Sequence, residues 1–502
     1  MNRLINIAWF TFYQAFFSTL VALVVGMPCA FFCGKRNFFA KKILLSFSVI
    51  PFCVPTLIVA LGYVSFLGRN GGLNRFLILI FNLKNPPVKI LYSFFGLIIA
   101  QGFYNFPIIM KNVSETWERI PTEKAESARL LGAGEARIFK TITIFQLLPS
   151  ILSSSLLIFI NCFLSFILVL LFGGIGNSTL EVEIYRAARN SLDFKTAISL
   201  GIFETSILCV VTFFYSFIEN KFGRRNKGLL AEQINNSKKI SGFLEKSIFL
   251  VVIFLVFLFF ICPLLGIVFN AFTSSKKGTG FTFKTFISVI KMRNFLPSFK
   301  ITLITSFFTA ILCVFVGFCY SLLLKFLDDK INSKVRIFLN LIPIIPMCVS
   351  SVVVGVLIIL IIKKGSIFSL IFTRVILSWP LAFKIIYPQI EKIPQDTMDC
   401  AKILSRNKID TIFRIIFPQS KKTLLSAFGF CFAVSAGDTT LPLVLSIPKF
   451  ETLSLFTYRL AGAYKFNEAC AAGIVLCLLC IIILVVSGNL FKSKAILSKK
   501  RN

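Results

Sequence analysis

Long apolar stretches alternate with short polar ones along the whole chain. Each apolar stretch runs for about 20 residues, the length that crosses a bilayer as an α-helix. The stretches are continuously apolar and lack the alternation of barrel strands, so they indicate helices. About eleven runs are predicted, near 8–32, 43–67, 90–110, 147–172, 193–217, 246–272, 299–326, 336–362, 370–390, 423–447 and 466–490. This pattern predicts an all-α, polytopic membrane helix bundle.

The composition agrees with a membrane location. Of the 502 residues, 56% are hydrophobic and 15% are charged. A soluble domain carries about a quarter charged residues, so this chain is expected to cover its apolar surface with lipid.

The position of the basic residues decides how the net charge of +33 is interpreted. Lys and Arg collect in alternate loops, which is the positive-inside pattern of membrane proteins and not the basic face of a nucleic-acid-binding protein. The pattern places the polar loops 111–146 and 391–422 in the cytoplasm and predicts no nucleic-acid partner. The opposite loops also contain basic residues, namely Arg69, Arg75, Lys276 and Lys277.

Cysteine and histidine usage gives no sign of a metal or catalytic centre. Almost all of the 14 cysteines lie inside apolar runs, and the chain has no histidine. Within a membrane helix, Cys packs as a small apolar residue, and His is the commonest metal ligand. We therefore expect no metal site and no catalytic residues.

The chain contains an internal repeat. The segment 117–134 aligns without a gap with the segment 390–407, at an offset of 273 residues. Equivalent positions in this register are Glu126 with Asp399, Ala128 with Ala401, Arg129 with Lys402, Gly132 with Ser405, and Tyr185 with Tyr458. An offset that persists over this distance indicates two parallel, pseudo-symmetric halves, an arrangement that transporters use to build a central pathway.

The repeat suggests the following organisation. The first repeat is predicted over 1–217 and a cytoplasmic linker over 218–245. The second repeat is predicted over 246–490 and a basic cytoplasmic tail over 491–502.

The polar loop of each half is predicted to contain a short helix. Proline at 121 and 394 suits the first helical turn, where a missing N–H has no cost. In the first copy, small residues fall at helical spacing on one face, at Ala125, Ala128, Gly132 and Ala136. Such a face lets a partner approach closely, and a helix presented twice would suit a pair of identical soluble partners.

The flanks of this small face carry charge and glycine. Glu126 and Arg129 lie beside the face and are expected to fix the orientation of a partner. Gly132 and Gly134 allow the chain to turn before it re-enters the membrane. The second copy keeps the small face through Ala401 and Ser405.

The stretch "EKAESARLLGAG" (123–134) resembles the Glu-Ala-Ala loop of permeases in binding-protein-dependent ABC importers. Glu126, Ala128 and Gly132 stand in the places of that motif, and Asp399, Ala401 and Ser405 stand there in the second copy. The resemblance implies that both helices, with Arg129, sit in grooves of ATPase subunits.

Nearly the full chain resembles the fused, two-repeat type I permeases of this family. Within those it is most similar to thiamine permeases, with ferric iron permeases as close relatives, through stretches such as "GLIIAQGFYNFPIIM" (96–110) and "SAGDTTLPLVLS" (435–446). The resemblance implies a multi-pass transport subunit of the bacterial inner membrane. Its partners would be two copies of a cytoplasmic ATPase and an extracytoplasmic binding protein.

The chain has no phosphate-binding loop of the type G-x-x-x-x-G-K-[ST]. ATP would therefore be hydrolysed by the separate subunit, and the permease itself would be no enzyme and need no cofactor.

Substrate-pathway residues are predicted at helix breaks and membrane carboxylates. The candidates are Gly173, Gly174, Gly437 and Asp438 after the fourth helix of each half, and Tyr185 and Tyr458 as stacking partners of an aromatic cation. Glu204 is a further carboxylate within an apolar run, where an ionisable group is costly and suggests function.

Two other classes of function remain open alternatives. A secondary transporter would need intramembrane carboxylates or histidine for ion coupling, and the chain has few of the former and none of the latter. An integral-membrane enzyme would need a nucleophile, a base or a metal cluster, and no such constellation stands out.

Overall fold

The computed structural model describes most of the chain. The described residues are 2–120, 123–173, 178–227, 238–273, 281–327, 342–362, 365–405, 407–448 and 450–489, with the single positions 335 and 339.

Eight continuous helices in the described part are long and apolar enough to cross a membrane. They coincide with eight of the eleven predicted runs and confirm the all-α membrane bundle. These spans are Leu4–Lys35, Phe94–Glu118, Glu135–Phe163, Phe194–Ile218, Phe243–Phe272, Phe295–Leu327, Ile367–Glu391 and Phe466–Gly488.

The other three predicted runs are broken helices. The run 43–67 divides into short helical pieces, and 423–447 divides between Phe417–Gly437 and Thr440–Leu445. In the run 336–362, the described helices Ile342–Cys348 and Ser351–Ile362 meet at a bend of 88°. Prolines at 51, 55, 343 and 346 lie in the first and third of these runs, and proline removes a backbone donor and clashes with the preceding turn.

Packing divides the chain into two compact units. The first unit comprises Met1–Pro51 and Thr56–Asn270, and the second comprises Phe52–Pro55 and Ala271–Asn502. The span Phe243–Phe272 opens the second sequence repeat but packs almost entirely within the first unit, where the Tyr63 hydroxyl donates to the Phe259 carbonyl at 2.7 Å. Packing units and sequence repeats are different properties, so the repeat boundaries stay a prediction. Parts of the predicted linker (228–237) and the predicted tail (491–502) lie outside the described residues.

The first unit is built from helices of very different lengths. They are Asn2–Lys35, Lys41–Ser46, Phe47–Val49 (3₁₀), Ile50–Cys53, Thr56–Leu67, Gly72–Phe81, Phe94–Glu118, Glu123–Leu130, Glu135–Ile138, Phe139–Thr143 (π), Ile144–Phe163, Ile167–Phe172, Leu180–Arg189, Phe194–Lys227, Phe243–Val256, Phe257–Ile261 (π) and Cys262–Phe272. Two-residue parallel strands, Arg36–Asn37 and Lys238–Lys239, pair beside them.

The second unit has the same kinds of element. Its helices are Lys284–Lys291, Phe295–Leu327, Ile342–Cys348 (3₁₀), Ser351–Ile362, Ile367–Glu391, Gln395–Leu404, Lys408–Thr411, Ile412–Ile416 (π), Phe417–Gly437, Thr440–Leu445, Leu453–Gly462 and Phe466–Asn489.

The secondary structure repeats at the offset found in the sequence. Phe94–Glu118 and Ile367–Glu391 are both 25-residue helices whose ends differ by 273 positions. The π-helical turns Phe139–Thr143 and Ile412–Ile416 obey the same offset. Two copies that share even an irregular turn support a duplicated fold.

A buried hydroxyl also recurs in the two units. Thr11 in the first long helix accepts a hydrogen bond from the backbone N–H of Leu180 at 3.0 Å. Thr302 accepts one from Leu453 at 2.7 Å in the second unit. Both bonds satisfy an otherwise free donor at the start of a ten-residue helix, where four backbone N–H groups lack helical partners.

Candidate functional site

The first polar helix, Glu123–Leu130, follows the long span Phe94–Glu118. Its acidic residues lie in the first turn and Arg129 lies in the last, which complements the helix dipole. The side chains of Glu126 and Arg129 are exposed, and Ala125 and Ala128 are half-buried. The helix therefore presents a polar surface to solvent, and its two alanines are half-buried.

The turn after this helix depends on glycine. Gly132 has a φ of +83°, a left-handed conformation that other residues adopt at a cost, and a side chain added there would meet nothing within 4 Å. The Arg129 guanidinium bridges the turn by donating to both carboxylate oxygens of Glu135, at 2.7 and 3.3 Å. That hydrogen-bonded pairing raises the pKa of Arg129 above its ordinary value.

The predicted small stripe is shorter than expected. The helix ends at Leu130, and Ala136 belongs to the next helix, Glu135–Ile138. Only Ala125 and Ala128 of the predicted face therefore share one helix. The prediction was wrong because periodicity was extended across a turn that Gly132 makes.

The second polar helix, Gln395–Leu404, packs more closely on its own unit. Ala401 is buried together with Met398, and Lys325 donates to the Ile393 carbonyl at 3.0 Å just before the helix. Asp399 stays exposed on the other side.

Ser405 takes the place of glycine with a different geometry. Its backbone is extended, with a φ of −95°, so no left-handed turn is needed. Its hydroxyl donates to the Ala401 carbonyl and lies 2.6 Å from the Thr411 hydroxyl. A side-chain bond therefore closes the turn that a glycine backbone closes in the first copy.

Each polar helix ends in a pair of large apolar side chains exposed to solvent. The exposed fractions are 89% for Leu130, 88% for Leu131, 84% for Ile403 and 85% for Leu404. The two pairs occupy equivalent positions at the offset of 273. Apolar side chains that stand out on a polar surface mark an interaction site, and the sequence signal was present as "LL" and "IL" at the same repeat position.

A buried ion pair lies within the second unit. The Arg374 guanidinium, 2% exposed, donates from Nε to the Asp438 carboxylate at 3.1 Å and from Nη2 to the Asp438 carbonyl at 3.2 Å. The other carboxylate oxygen accepts the backbone N–H groups of Thr440 and Leu441. The Thr305 and Ser454 hydroxyls complete the cluster, since Thr305 accepts from Arg374 and Ser454 donates to the Asp438 carbonyl.

This ion pair gives Asp438 a structural role at the break after Phe417–Gly437. Its expected place in the substrate pathway stays a prediction, and a cationic substrate there would compete with Arg374 for the same carboxylate. Arg374 was not among the predicted site residues. The available signal was a lone arginine within an apolar run, which by its cost indicates a paired or functional group.

The first unit has an uncharged cluster at the equivalent place. Gln101 stands 273 positions before Arg374 and accepts a hydrogen bond from the Ser18 hydroxyl at 2.8 Å. The Gln14 amide donates to the Cys162 carbonyl at 2.7 Å, and the Asn105 amide donates to the Gln101 carbonyl at 2.9 Å. Ser165 replaces Asp438 in this register. The duplicated fold thus keeps a polar cluster but changes its charge.

The remaining predicted pathway residues lie in varied surroundings. Tyr185 packs edge-on against Phe166 with ring centroids 5.2 Å apart, and burial raises the pKa of its hydroxyl while Arg189 opposes that shift. Tyr458 is half-buried on Leu453–Gly462. Gly173 ends the helix Ile167–Phe172, and Gly174 lies outside the described residues.

Two further candidates are closely packed. Gly437 approaches Pro55 so closely that an added Cβ would lie 3.0 Å from the proline ring. Glu204 is fully buried on Phe194–Lys227. None of these pathway assignments is tested by its surroundings, and each stays a prediction.

Comparison with known proteins identifies the family. The sequence profile of binding-protein-dependent transport system inner membrane components matches residues 26–227 and 330–494. The chain belongs to this family. Both matched ranges contain one polar helix, in agreement with a permease built from two repeats.

Known relatives cover almost the whole permease. The thiamine transport system permease protein ThiP of Brucella abortus (strain 2308) is 22% identical over 97% of this chain and 88% of its own length. The corresponding protein of Haemophilus influenzae is 23% identical over 94% of this chain and 86% of its own. A chain from the crystal structure of a bacterial ABC transporter involved in the import of the acidic polysaccharide alginate aligns with a TM-score of 0.39 and 18% identity. It covers 49% of this chain and 94% of its own length.

Family membership and the eight spans together establish where the permease is located and what kind of component it is. It is a multi-pass protein of the inner membrane and a transport component of an ABC importer. The expected membership of the fused, two-repeat permeases is confirmed.

Proposed function

We propose that this permease imports thiamine or its phosphate esters, driven by two copies of a separate ATPase that grip the two polar helices. A soluble binding protein would deliver the substrate from outside. ATP-driven closure of the ATPase pair would then draw the polar helices together and switch access across the membrane.

One observation carries the coupling role. Both units present a short polar helix that ends in an exposed apolar pair, at positions that differ by the repeat offset. Burying a leucine side chain is worth about 1.5–3 kcal/mol, so the two pairs offer substantial docking energy to a partner that covers them. Equivalent placement in both halves suits two identical partners.

The two polar helices are expected to bind their ATPase subunits with unequal strength. The first helix has half-buried alanines and an open glycine turn, whereas the second is packed through Met398 and Ala401 and its turn is closed by Ser405. A helix that is already fixed to its own unit loses less freedom on docking but adapts less to the partner.

The substrate assignment rests on the relatives that are named thiamine permeases and that align over nearly the whole chain. Binding of thiamine by the cognate receptor, measured by calorimetry, tests it. Binding of ferric iron in place of thiamine would instead support a ferric iron importer, the alternative that the sequence left open. We further propose that the permease needs no cofactor of its own and that ATP is used only by the ATPase.

Changing Leu130 and Leu131 together to aspartate is expected to uncouple the transporter. Removing both apolar contacts should reduce recovery of the ATPase with the purified permease at least about tenfold, because each lost leucine is worth about 1.5–3 kcal/mol. The amount of permease in the membrane should not change, since both side chains are exposed. Uptake of labelled thiamine in cells is the second readout.

The matched control replaces the same two leucines by isoleucine, which keeps the apolar area. ATPase binding and uptake should then return to near the wild-type level. Normal ATPase recovery by the aspartate variant would contradict the docking role of this pair. The change of Ile403 and Leu404 to aspartate tests the second copy separately.

Changing Gly132 to alanine is expected to weaken coupling, because the left-handed backbone at this position penalises a side chain by about 1–2 kcal/mol. Gly134 provides the control, since it is equally open but has an ordinary φ of −70°. Gly134→Ala should keep full ATP-dependent uptake. Equal uptake by the two variants would mean that the turn geometry does not matter.

A further inference from the structure

A segment between two helices of the first unit has no counterpart in the second. Thr56–Leu67 and Ser351–Ile362 are both 12-residue helices, and each precedes one of the equivalent 25-residue spans. In the second unit only 363–366 separate these helices. In the first unit 68–93, here called the outer segment, separates them. The duplicated fold therefore does not require this segment.

The outer segment contains a helix whose free side is apolar. Gly72–Phe81 has ten residues, and its inner side is fixed by the fully buried Asn74. Large apolar side chains stand on its exposed side and just beyond its end, at Phe76, Leu79, Ile80, Phe81 and Leu83. This exposed surface would be unfavourable in water.

The segment is nevertheless well held. The Asn74 amide donates to the carbonyls of Gly68 and Val88, at 2.9 and 2.8 Å, and its side-chain oxygen accepts the Val88 N–H at 2.9 Å. One side chain thus ties the start of the helix to the returning chain. The apolar side is therefore presented in a defined orientation.

An aromatic cluster lies where the outer segment joins the next span. Phe94 packs against Phe10 and Phe17, with ring centroids 5.7 and 6.2 Å apart, and Trp9 stacks on Tyr13 at 5.4 Å. Trp9 and Tyr13 are exposed. Exposed Trp and Tyr at a helix end are typical of the membrane–water interface, so the outer segment lies at that depth.

The charge of the outer segment has one sign. It contains Arg69, Arg75, Lys84 and Lys89 and no acidic residue. These cations are exceptions to the positive-inside pattern, because Phe94–Glu118 places the segment at the opposite end from the first polar helix. Basic residues beside an apolar helix face attract anionic lipid headgroups.

We propose that the outer segment binds the anionic phospholipid surface of the outer leaflet, with Phe76, Leu79 and Ile80 inserted among acyl chains and the flanking cations on headgroup phosphates. This contact anchors the first unit at the end of the helix Thr56–Leu67. Its assignment to the outer leaflet rests on the proposed cytoplasmic docking of the polar helices. The lipid contact itself does not.

Insertion is tested with the full chain in phosphatidylcholine nanodiscs that contain phosphatidylglycerol. Tryptophan fluorescence of Leu79→Trp, above the wild-type background, should be quenched by brominated acyl chains and protected from aqueous iodide. Asn85→Trp, on the exposed returning chain, is the control and should be quenched by iodide. Quenching of Leu79→Trp by iodide alone would overturn the proposal, as would shielding that appears only after the binding protein is added.

Charge recognition is tested by phosphatidylglycerol binding to the purified chain, measured by native mass spectrometry. Arg75→Gln with Lys84→Gln should lower the affinity about 25-fold, since each cation near a lipid surface contributes about fivefold. The control pair Lys195→Gln with Lys465→Gln removes exposed cations at the outward ends of Phe194–Ile218 and Phe466–Gly488. An equal loss of phosphatidylglycerol affinity in both double variants, or no loss in Arg75→Gln with Lys84→Gln, would refute specific headgroup binding. These variants leave the exposed apolar pairs of the polar helices intact, so recovery of the ATPase should be unchanged, and failure of this test is distinct from failure of the coupling role.

Discussion

Replacing Asp438 by serine is expected to destabilise the second unit strongly. The change leaves the Arg374 guanidinium, which is 2% exposed, without its carboxylate. Breaking a buried pair from one side costs about 3–5 kcal/mol because a desolvated charge remains. Serine still offers an oxygen to cap the helix that begins at Thr440, so loss of the cap contributes little. The apparent Tm of the purified permease should fall by roughly 6–12 °C.

The double variant Arg374→Gln with Asp438→Ser is the decisive comparison. These residues reproduce Gln101 and Ser165, which occupy the equivalent places in the first unit. With both charges removed, no desolvated charge remains, so the Tm should recover most of the loss. A double variant that is less stable than Asp438→Ser alone would show that the cluster does not act as an ion pair. Thermal unfolding is measured in detergent, and size-exclusion chromatography reports how much permease has aggregated at each temperature.

Replacing Gly26 by leucine is expected to push apart two long helices of the first unit, Asn2–Lys35 and Phe94–Glu118, which cross closely at this glycine. A Cβ at Gly26 would lie 2.9 Å from the Ile109 Cβ and 3.1 Å from the Phe106 carbonyl oxygen. Small residues at such crossings let membrane helices approach closely, because packing rather than water exclusion holds helices together in lipid. Overpacking by a whole leucine should cost about 3 kcal/mol or more and reduce the amount of folded permease in the membrane.

Gly488 supplies the control for this variant. It lies in the span Phe466–Gly488, and a side chain added there would meet nothing within 4 Å. Gly488→Leu should therefore keep the wild-type yield and Tm. Gly317→Leu provides an independent test in the second unit, where a Cβ would lie 2.9 Å from the Phe383 backbone nitrogen. Wild-type stability of Gly26→Leu would contradict the close crossing.

Local sequence patterns predicted much of the fold. Eight of the eleven apolar runs contain a spanning helix, because length and hydropathy are properties of each run alone. The three others broke where proline or a change of packing interrupts the helix, as at the 88° bend before Ser351. Periodicity could not place that bend, since it depends on which neighbours pack on each side.

The candidate sites were predicted unevenly for the same reason. The two polar helices were predicted from residues that lie close together in sequence, and the structure has a helix at both positions. Asp438 was singled out as a lone membrane carboxylate, but its partner Arg374 lies 64 positions away in sequence. A residue-by-residue scan does not pair such charges, although it can point to each as costly.

The sequence by itself determined the membrane class, the offset of 273 and the location of both polar helices, because spacing and hydropathy are encoded locally. Only the tertiary structure decided that most of Phe243–Phe272 packs in the first unit, that Arg374 neutralises Asp438 and that the apolar pairs stand free in solvent. Each of these depends on contacts between distant parts of the chain. Such contacts are selected by packing and desolvation in three dimensions and leave no periodic trace in the order of the residues.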